Sequence, residues 1–81
     1  MAVFRTEEEW DWHLGIFTRQ EMGSKLEISR RKGRGGWSHP TECTNARLIE
    51  MLKEHLEKGD FIDVVNLAAM IHYRKEKGIE K

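Results

Sequence analysis

The chain has few of the residues that staple or break a fold. One cysteine, Cys43, stands among 81 residues, so no intrachain disulfide can form, as expected of a chain kept in a reducing compartment, by default the cytoplasm. Pro40 is the only proline, and long helices are therefore free to form on either side of it. No apolar run approaches the roughly 20 residues of a membrane span. The start, Met1 to Arg5 followed by Glu7, Glu8 and Glu9, is not the basic-then-apolar pattern of a signal peptide. Neither sign of charge is in excess, with 14 Lys and Arg against 14 Asp and Glu. Internal repeats, low-complexity segments and interdomain linkers are missing too, so residues 1–81 are expected to form a single domain with no membrane partner.

Charge is present but unevenly spread. Glu7, Glu8, Glu9 and Asp11 make an acidic start, Arg30, Arg31, Lys32 and Arg34 a basic block, and acids outnumber bases from Glu42 to Asp63. Local fields therefore matter more than the net charge. A chain this short buries little of its surface, and near zero net charge it is prone to self-association.

Three helices are expected. Thr6 and Glu9 have the spacing of a capping box, and Trp10, Leu14, Phe17, Met22 and Leu26 recur at helical spacing, giving a first helix from about Glu7 to about Arg31. Gly15 and Gly23 weaken it by about 1 kcal/mol each, so a bend near Gly23 into two shorter helices is an alternative. Lys32 to Pro40 holds three glycines and the proline, and reads as a loop. A second helix follows a cap at Thr41 or Thr44 and runs to Lys58, with Leu48, Ile49, Leu52 and Leu56 on one stripe and Gly59 as terminator. Asp60 is placed to cap a third helix that is apolar almost all round from Phe61 to Ile71, interrupted by Asp63 and Asn66, and that stops at Gly78. The fold class is all-α: a long or bent first helix, a Gly-rich loop and a tight C-terminal helical hairpin. A second copy is expected to complete its core.

The hairpin carries the chemistry. Glu54 and Glu57 lie three apart before the turn, Asp60 and Asp63 three apart after it. In an antiparallel hairpin, residues equidistant from the turn face each other, and four carboxylates would converge. Such oxygen ligands suit Mg²⁺, which binds one or two carboxylates together with substrate phosphates. The same acids have ordinary structural roles: Asp60 as N-cap, Asp63 at N3 near the helix dipole, Glu54 paired with Lys58, and Glu57 solvated.

Lys32-Gly-Arg-Gly-Gly-Trp37 and Asp63-Val-Val-Asn-Leu-Ala-Ala-Met70, joined by the helix carrying Glu54 and Glu57, resemble short, largely phage-borne proteins of the MazG-like, all-α nucleotide pyrophosphohydrolase group. The likeness covers roughly residues 22 to 74. It implies a Glu-x-x-Glu motif on one helix and a Glu-x-x-Asp motif on the next, which together bind Mg²⁺ and activate water to split a nucleoside triphosphate into monophosphate and pyrophosphate. Glu54 and Glu57 match the first motif, and Asp63 the last acid of the second, with Asn66 in the polar position after it. Asp60 stands where the second motif has glutamate, and two residues join the motifs where the group has a longer connection.

Other constellations are weaker. Arg30, Lys32, Arg34 and Trp37 could meet phosphates and a base, yet four basic residues are few for independent nucleic-acid binding, and a cationic helix end with Trp37 packed inward accounts for them equally well. His39, Cys43 and His55 lack the paired spacing of a structural zinc site, and a Cys43 nucleophile with His39 as base has no orienting third group. Trp10 and Trp12 either form an aromatic patch for another protein or divide between core and surface. The leading expectation is a MazG-like protein binding Mg²⁺ and a nucleoside triphosphate through Glu54, Glu57, Asp60 and Asp63, with Arg30, Lys32, Arg34, Trp37 and Asn66 at the nucleotide. The alternative is a non-catalytic protein that binds or inhibits a host protein through Trp10 and Trp12, or a weak nucleic-acid binder through its basic loop.

Overall fold

The structure is a computed structural model that describes residues 5–80. Those residues form three helices and no strands: α1 (Glu7–Arg31), α2 (Asn45–Lys58) and α3 (Phe61–Lys77). No helix is long and apolar enough to cross a membrane.

Local chemistry sets each boundary. At α1, Thr6 Oγ1 accepts from the Glu9 N–H at 3.2 Å and Glu9 Oε1 accepts from the Thr6 N–H at 3.3 Å, the reciprocal capping box expected. The helix runs unbroken through Gly15 and Gly23, so there is no division near Gly23. A Cβ added at either glycine would meet nothing within 4 Å. Thr44, not Thr41, caps α2, its hydroxyl accepting from the Arg47 N–H at 3.1 Å. Gly59 (φ 80°) and Gly78 (φ 67°) end α2 and α3 in the left-handed conformation, which costs glycine least because it has no Cβ.

Both ends close in the same way. The Asp60 N–H returns to the His55 carbonyl at 3.0 Å and the Gly59 N–H to Leu56 at 3.2 Å; the Ile79 N–H returns to Arg74 at 2.9 Å and the Gly78 N–H to Lys75 at 3.4 Å. This paired pattern is the Schellman motif, which folds the chain back so that the residue after the glycine lies over the helix residue five positions before it. At α2 those two residues are Asp60 and His55. The Asp60 side chain is thereby drawn away from the start of α3, so that Asp60 holds the expected N-cap position without a side-chain capping bond.

Helix α3 is the central element. It packs against α2 on one side and α1 on another, whereas α1 and α2 do not touch among the described residues. That position explains why its sequence is apolar almost all round. Its outer face still meets solvent, with Phe61 at 64% exposure.

The apolar core of the described residues is small: only Leu48 and Leu67 are buried, alongside the polar Asn66 and Arg74. Arg74 is wholly enclosed, at 0% exposure. Its Nε donates to Asn45 Oδ1 at 2.7 Å, Nη1 to the carbonyls of Trp37 and, at 3.4 Å, His39, and Nη2 to the Cys43 carbonyl at 2.8 Å and Glu80 Oε2 at 2.9 Å. All three nitrogens are engaged, as a buried guanidinium requires. One side chain thus ties the 32–44 connection to the end of α3.

Candidate cation and nucleotide site

The helical phase of α2 decides which acids can meet at the hairpin. At about 100° per residue, His55 falls on the stripe of Leu48 and Leu52 that faces α3, while Glu54 lies about a third of a turn or more from those leucines and Glu57 on the far side. Equal distance from the turn does not overcome that rotation. Glu54 points along the solvent face to Arg47, whose Nη1 is 3.5 Å from Glu54 Oε1 and 3.0 Å from Glu50 Oε1. Glu57 is exposed. Neither stands in the group that forms at the turn.

That group is His55, Asp60 and Asp63. Their ligand atoms lie within 4.8 Å of one another, with His55 Nδ1 3.1 Å from Asp60 Oδ2 and 3.8 Å from Asp63 Oδ2. The Schellman turn brings Asp60 over His55, and Asp63 sits in the first turn of α3, where its carboxylate complements the helix dipole. His55 and Asp63 are partly shielded and Asp60 is more open, at 28%, 29% and 46% side-chain exposure, so the group is reachable from solvent. Lys25 of α1 stands by, its Nζ 3.9 Å from Asp63 Oδ2.

The 3.1 and 3.8 Å from His55 Nδ1 to the two carboxylates fall within the span that two ligands of one ion can have. Ligands each about 2.1 Å from one centre and at right angles sit about 3 Å apart. One imidazole and two carboxylates suit Mn²⁺ and its neighbours; Mg²⁺, which takes oxygen, would use Asp60 and Asp63 with water and phosphate completing its shell. The trio is also self-consistent without an ion, since a proton on Nδ1 can be donated to Asp60.

The remaining site residues lie elsewhere. Arg30, Lys32 and Arg34 are exposed at the end of α1; the Lys32 N–H returns to Ile28 and Ser29, and the Arg34 N–H to Ser29 at 2.9 Å. Trp37 is half-buried and meets the Tyr73 ring edge-on, with centroids 5.5 Å apart. The connection carrying these residues is fastened at the Arg74 end of α3, whereas His55, Asp60 and Asp63 lie at its opposite end, on the order of 20 Å away along the helix. Among the described residues no ion pair joins Arg30, Lys32 or Arg34 to His55, Asp60 or Asp63.

Asn66, at 5% exposure, lines an apolar cleft with Met22, Leu26, Trp37, Ala69, Met70 and Tyr73. Its Nδ2 donates weakly to the Met22 carbonyl at 3.4 Å, and its Oδ1 is buried without a partner. Trp10 and Trp12 are exposed at 51% and 69%; Trp10 stacks edge-on with His13 and lies under the Arg5 guanidinium. His39 Nδ1 is 2.9 Å from Thr41 Oγ1, and the Cys43 thiol is directed to the Thr44 carbonyl at 3.8 Å.

His55 and Arg74 were legible only in part. The sequence makes His55 an exposed helix residue and Arg74 one of several cations complementing a helix end. The signal that marks both is a residue four positions before a helix-ending glycine, the place over which the returning chain folds. No family model, curated protein or solved structure matches the chain.

Proposed function

We propose that this chain binds a divalent cation and, through it, the phosphates of a nucleoside triphosphate at the α2–α3 turn, in the manner of the MazG-like group it resembles. The observation that carries the reading is the convergence of His55 Nδ1, Asp60 Oδ2 and Asp63 Oδ2 within 4.8 Å at a solvent-reachable helix turn. A bound cation supplies positive charge to phosphate oxygens and makes a coordinated water more acidic. Asp60 and Asp63 would hold the ion, His55 would favour Mn²⁺ over Mg²⁺, and Lys25 would move from Asp63 to a phosphate oxygen. Glu54, on the adjacent face of α2, remains a candidate base, whereas Glu57 faces away. The reaction assigned is cleavage to nucleoside monophosphate and pyrophosphate.

Self-association belongs to the same reading. One chain buries only Leu48 and Leu67 among its described apolar side chains, and a second copy would complete that core. Incubation of the pure protein with each nucleoside triphosphate and Mn²⁺ or Mg²⁺, with pyrophosphate as the readout, tests the proposal. Pyrophosphate release that needs the ion is expected. No release, together with no effect of either ion on thermal unfolding, would overturn it.

A further inference from the structure

The cleft between α1 and α3 differs in chemistry from the turn site. Its walls are Trp37, Tyr73, Leu26 and the thioethers of Met22 and Met70, and Asn66 is the one amide side chain among them. Its volume is about 180 Å³, and Ala69 and Tyr73 on its border are exposed, so it is reachable from solvent. One wall is held from behind. The Arg74 guanidinium donates to the Trp37 carbonyl, and Trp37 rests edge-on against Tyr73 with centroids 5.5 Å apart, an arrangement fixed before any guest enters.

Asn66 gives the cleft its specificity. The residue is 5% exposed, and its Nδ2 is turned to the Met22 carbonyl at 3.4 Å. Reversing the amide would set oxygen against oxygen there, so the carbonyl end is left as the free end. That oxygen is enclosed and has no donor among the described residues. Anything that brings it a donor while covering the apolar walls is therefore favoured. Met22 and Met70, unbranched and polarizable, can shift to admit a ring and make sulfur contacts with it. Size points the same way, since an apolar protein cavity of about 150 Å³ takes up benzene. A nucleobase suits the cleft less well, because it carries several donors and acceptors and one amide would leave most of them unpaired.

We propose that this cleft binds a neutral aromatic of one or two rings that carries a single N–H or O–H donor, with Asn66 Oδ1 as the acceptor and Trp37 and Tyr73 as the aromatic wall. The inference goes beyond the cation reading and does not depend on it.

The test is calorimetric titration of the full chain, without divalent ions, with indole and with benzofuran, which has the same shape and no N–H. Indole should bind with a dissociation constant of about 1 mM or tighter, and benzofuran on the order of tenfold more weakly. Asn66→Leu should bind the two about equally while far-ultraviolet circular dichroism keeps the helical signal. Ala69→Phe, a change at an exposed position on the border, should block both. No heat of binding with millimolar indole overturns the proposal. So does equal binding of indole and benzofuran by wild type, which would make the cleft merely apolar, or indole binding that survives Ala69→Phe, which would place it elsewhere. Uridine or adenosine binding more tightly than indole would overturn it in favour of a base subsite.

Discussion

The guanidinium of Arg74 and the carboxylate of Glu80 meet at 2.9 Å across the glycine that ends α3, and the same carboxylate oxygen accepts from the Asn45 N–H at 2.7 Å. One acid thus satisfies both a buried cation and an otherwise unpaired donor at the first turn of α2. Removing one partner of a buried, hydrogen-bonded charge network commonly costs about 3–5 kcal/mol, a large share of the stability available to so small a domain. Arg74→Met is therefore expected to abolish the cooperative urea transition at 25 °C. Arg74→Lys should rescue little of it, because an ammonium cannot span the carbonyls of Trp37, His39 and Cys43. A loss below about 1 kcal/mol in Arg74→Met would refute the network's role.

The glycines divide into two classes. Gly15→Ala and Gly23→Ala should each raise stability by about 1 kcal/mol in thermal or urea unfolding, because both lie inside α1 with open space at Cβ. Gly59→Ala should lower it by about 1–2 kcal/mol, because its φ of 80° is disfavoured for any residue with a Cβ. Gly36 has the same backbone strain, and its Cβ would also collide with the Glu42 side chain. If Gly23→Ala is destabilising instead, something outside the chain approaches α1 there.

The cation site predicts a particular division among the acids. At a free Mn²⁺ concentration about 100 times the dissociation constant, binding should stabilise the fold by about 2.7 kcal/mol, visible as a higher Tm. His55→Ala and Asp63→Asn should each remove that gain, while Glu54→Gln should leave it nearly intact. An equal loss in all three variants would return Glu54 to the ion's shell and contradict the geometry at the turn.

Asn66 separates a structural role from a ligand role. Its unpartnered Oδ1 costs free energy in the unliganded chain, of the order of 1–3 kcal/mol for a buried acceptor. Asn66→Leu, nearly isosteric, should therefore keep or slightly raise the Tm. If Asn66 contacts nucleotide, the same variant should lose nucleotide binding measured by calorimetry in the presence of Mn²⁺. A variant that is clearly destabilised would instead assign Asn66 to the fold.

The parts of this fold that the sequence announces are those decided within one or two helical turns. Thr6 with Glu9, Thr44, Gly59 and Gly78 each act on neighbours a few positions away, and the three helices follow from them. Arg74 is different, because its carbonyl partners at Trp37, His39 and Cys43 lie 31 to 37 positions away, and nothing local distinguishes it from the adjacent Lys75. The candidate site was half legible for the same reason. Spacing finds Asp60 and Asp63, but whether Glu54 joins them depends on the rotation of α2 about its own axis against α3. The apolar stripe from Phe61 to Ile71 likewise reveals that α3 is surrounded, and not by which neighbours.

The central position of α3, with α1 and α2 on separate flanks, also bears on the order in which the chain folds. Contacts between α2 and α3 close across a two-residue turn and need almost no loop entropy, whereas α1 reaches α3 only once the 32–44 connection is closed. The hairpin is thus the natural nucleus, and docking of α1 follows as a later event, with Arg74 fastening the connection that leads from it. Destabilising changes on the α1 side of α3 should act mainly on the rate of unfolding, and changes at Leu48 or Leu67 on the rate of folding.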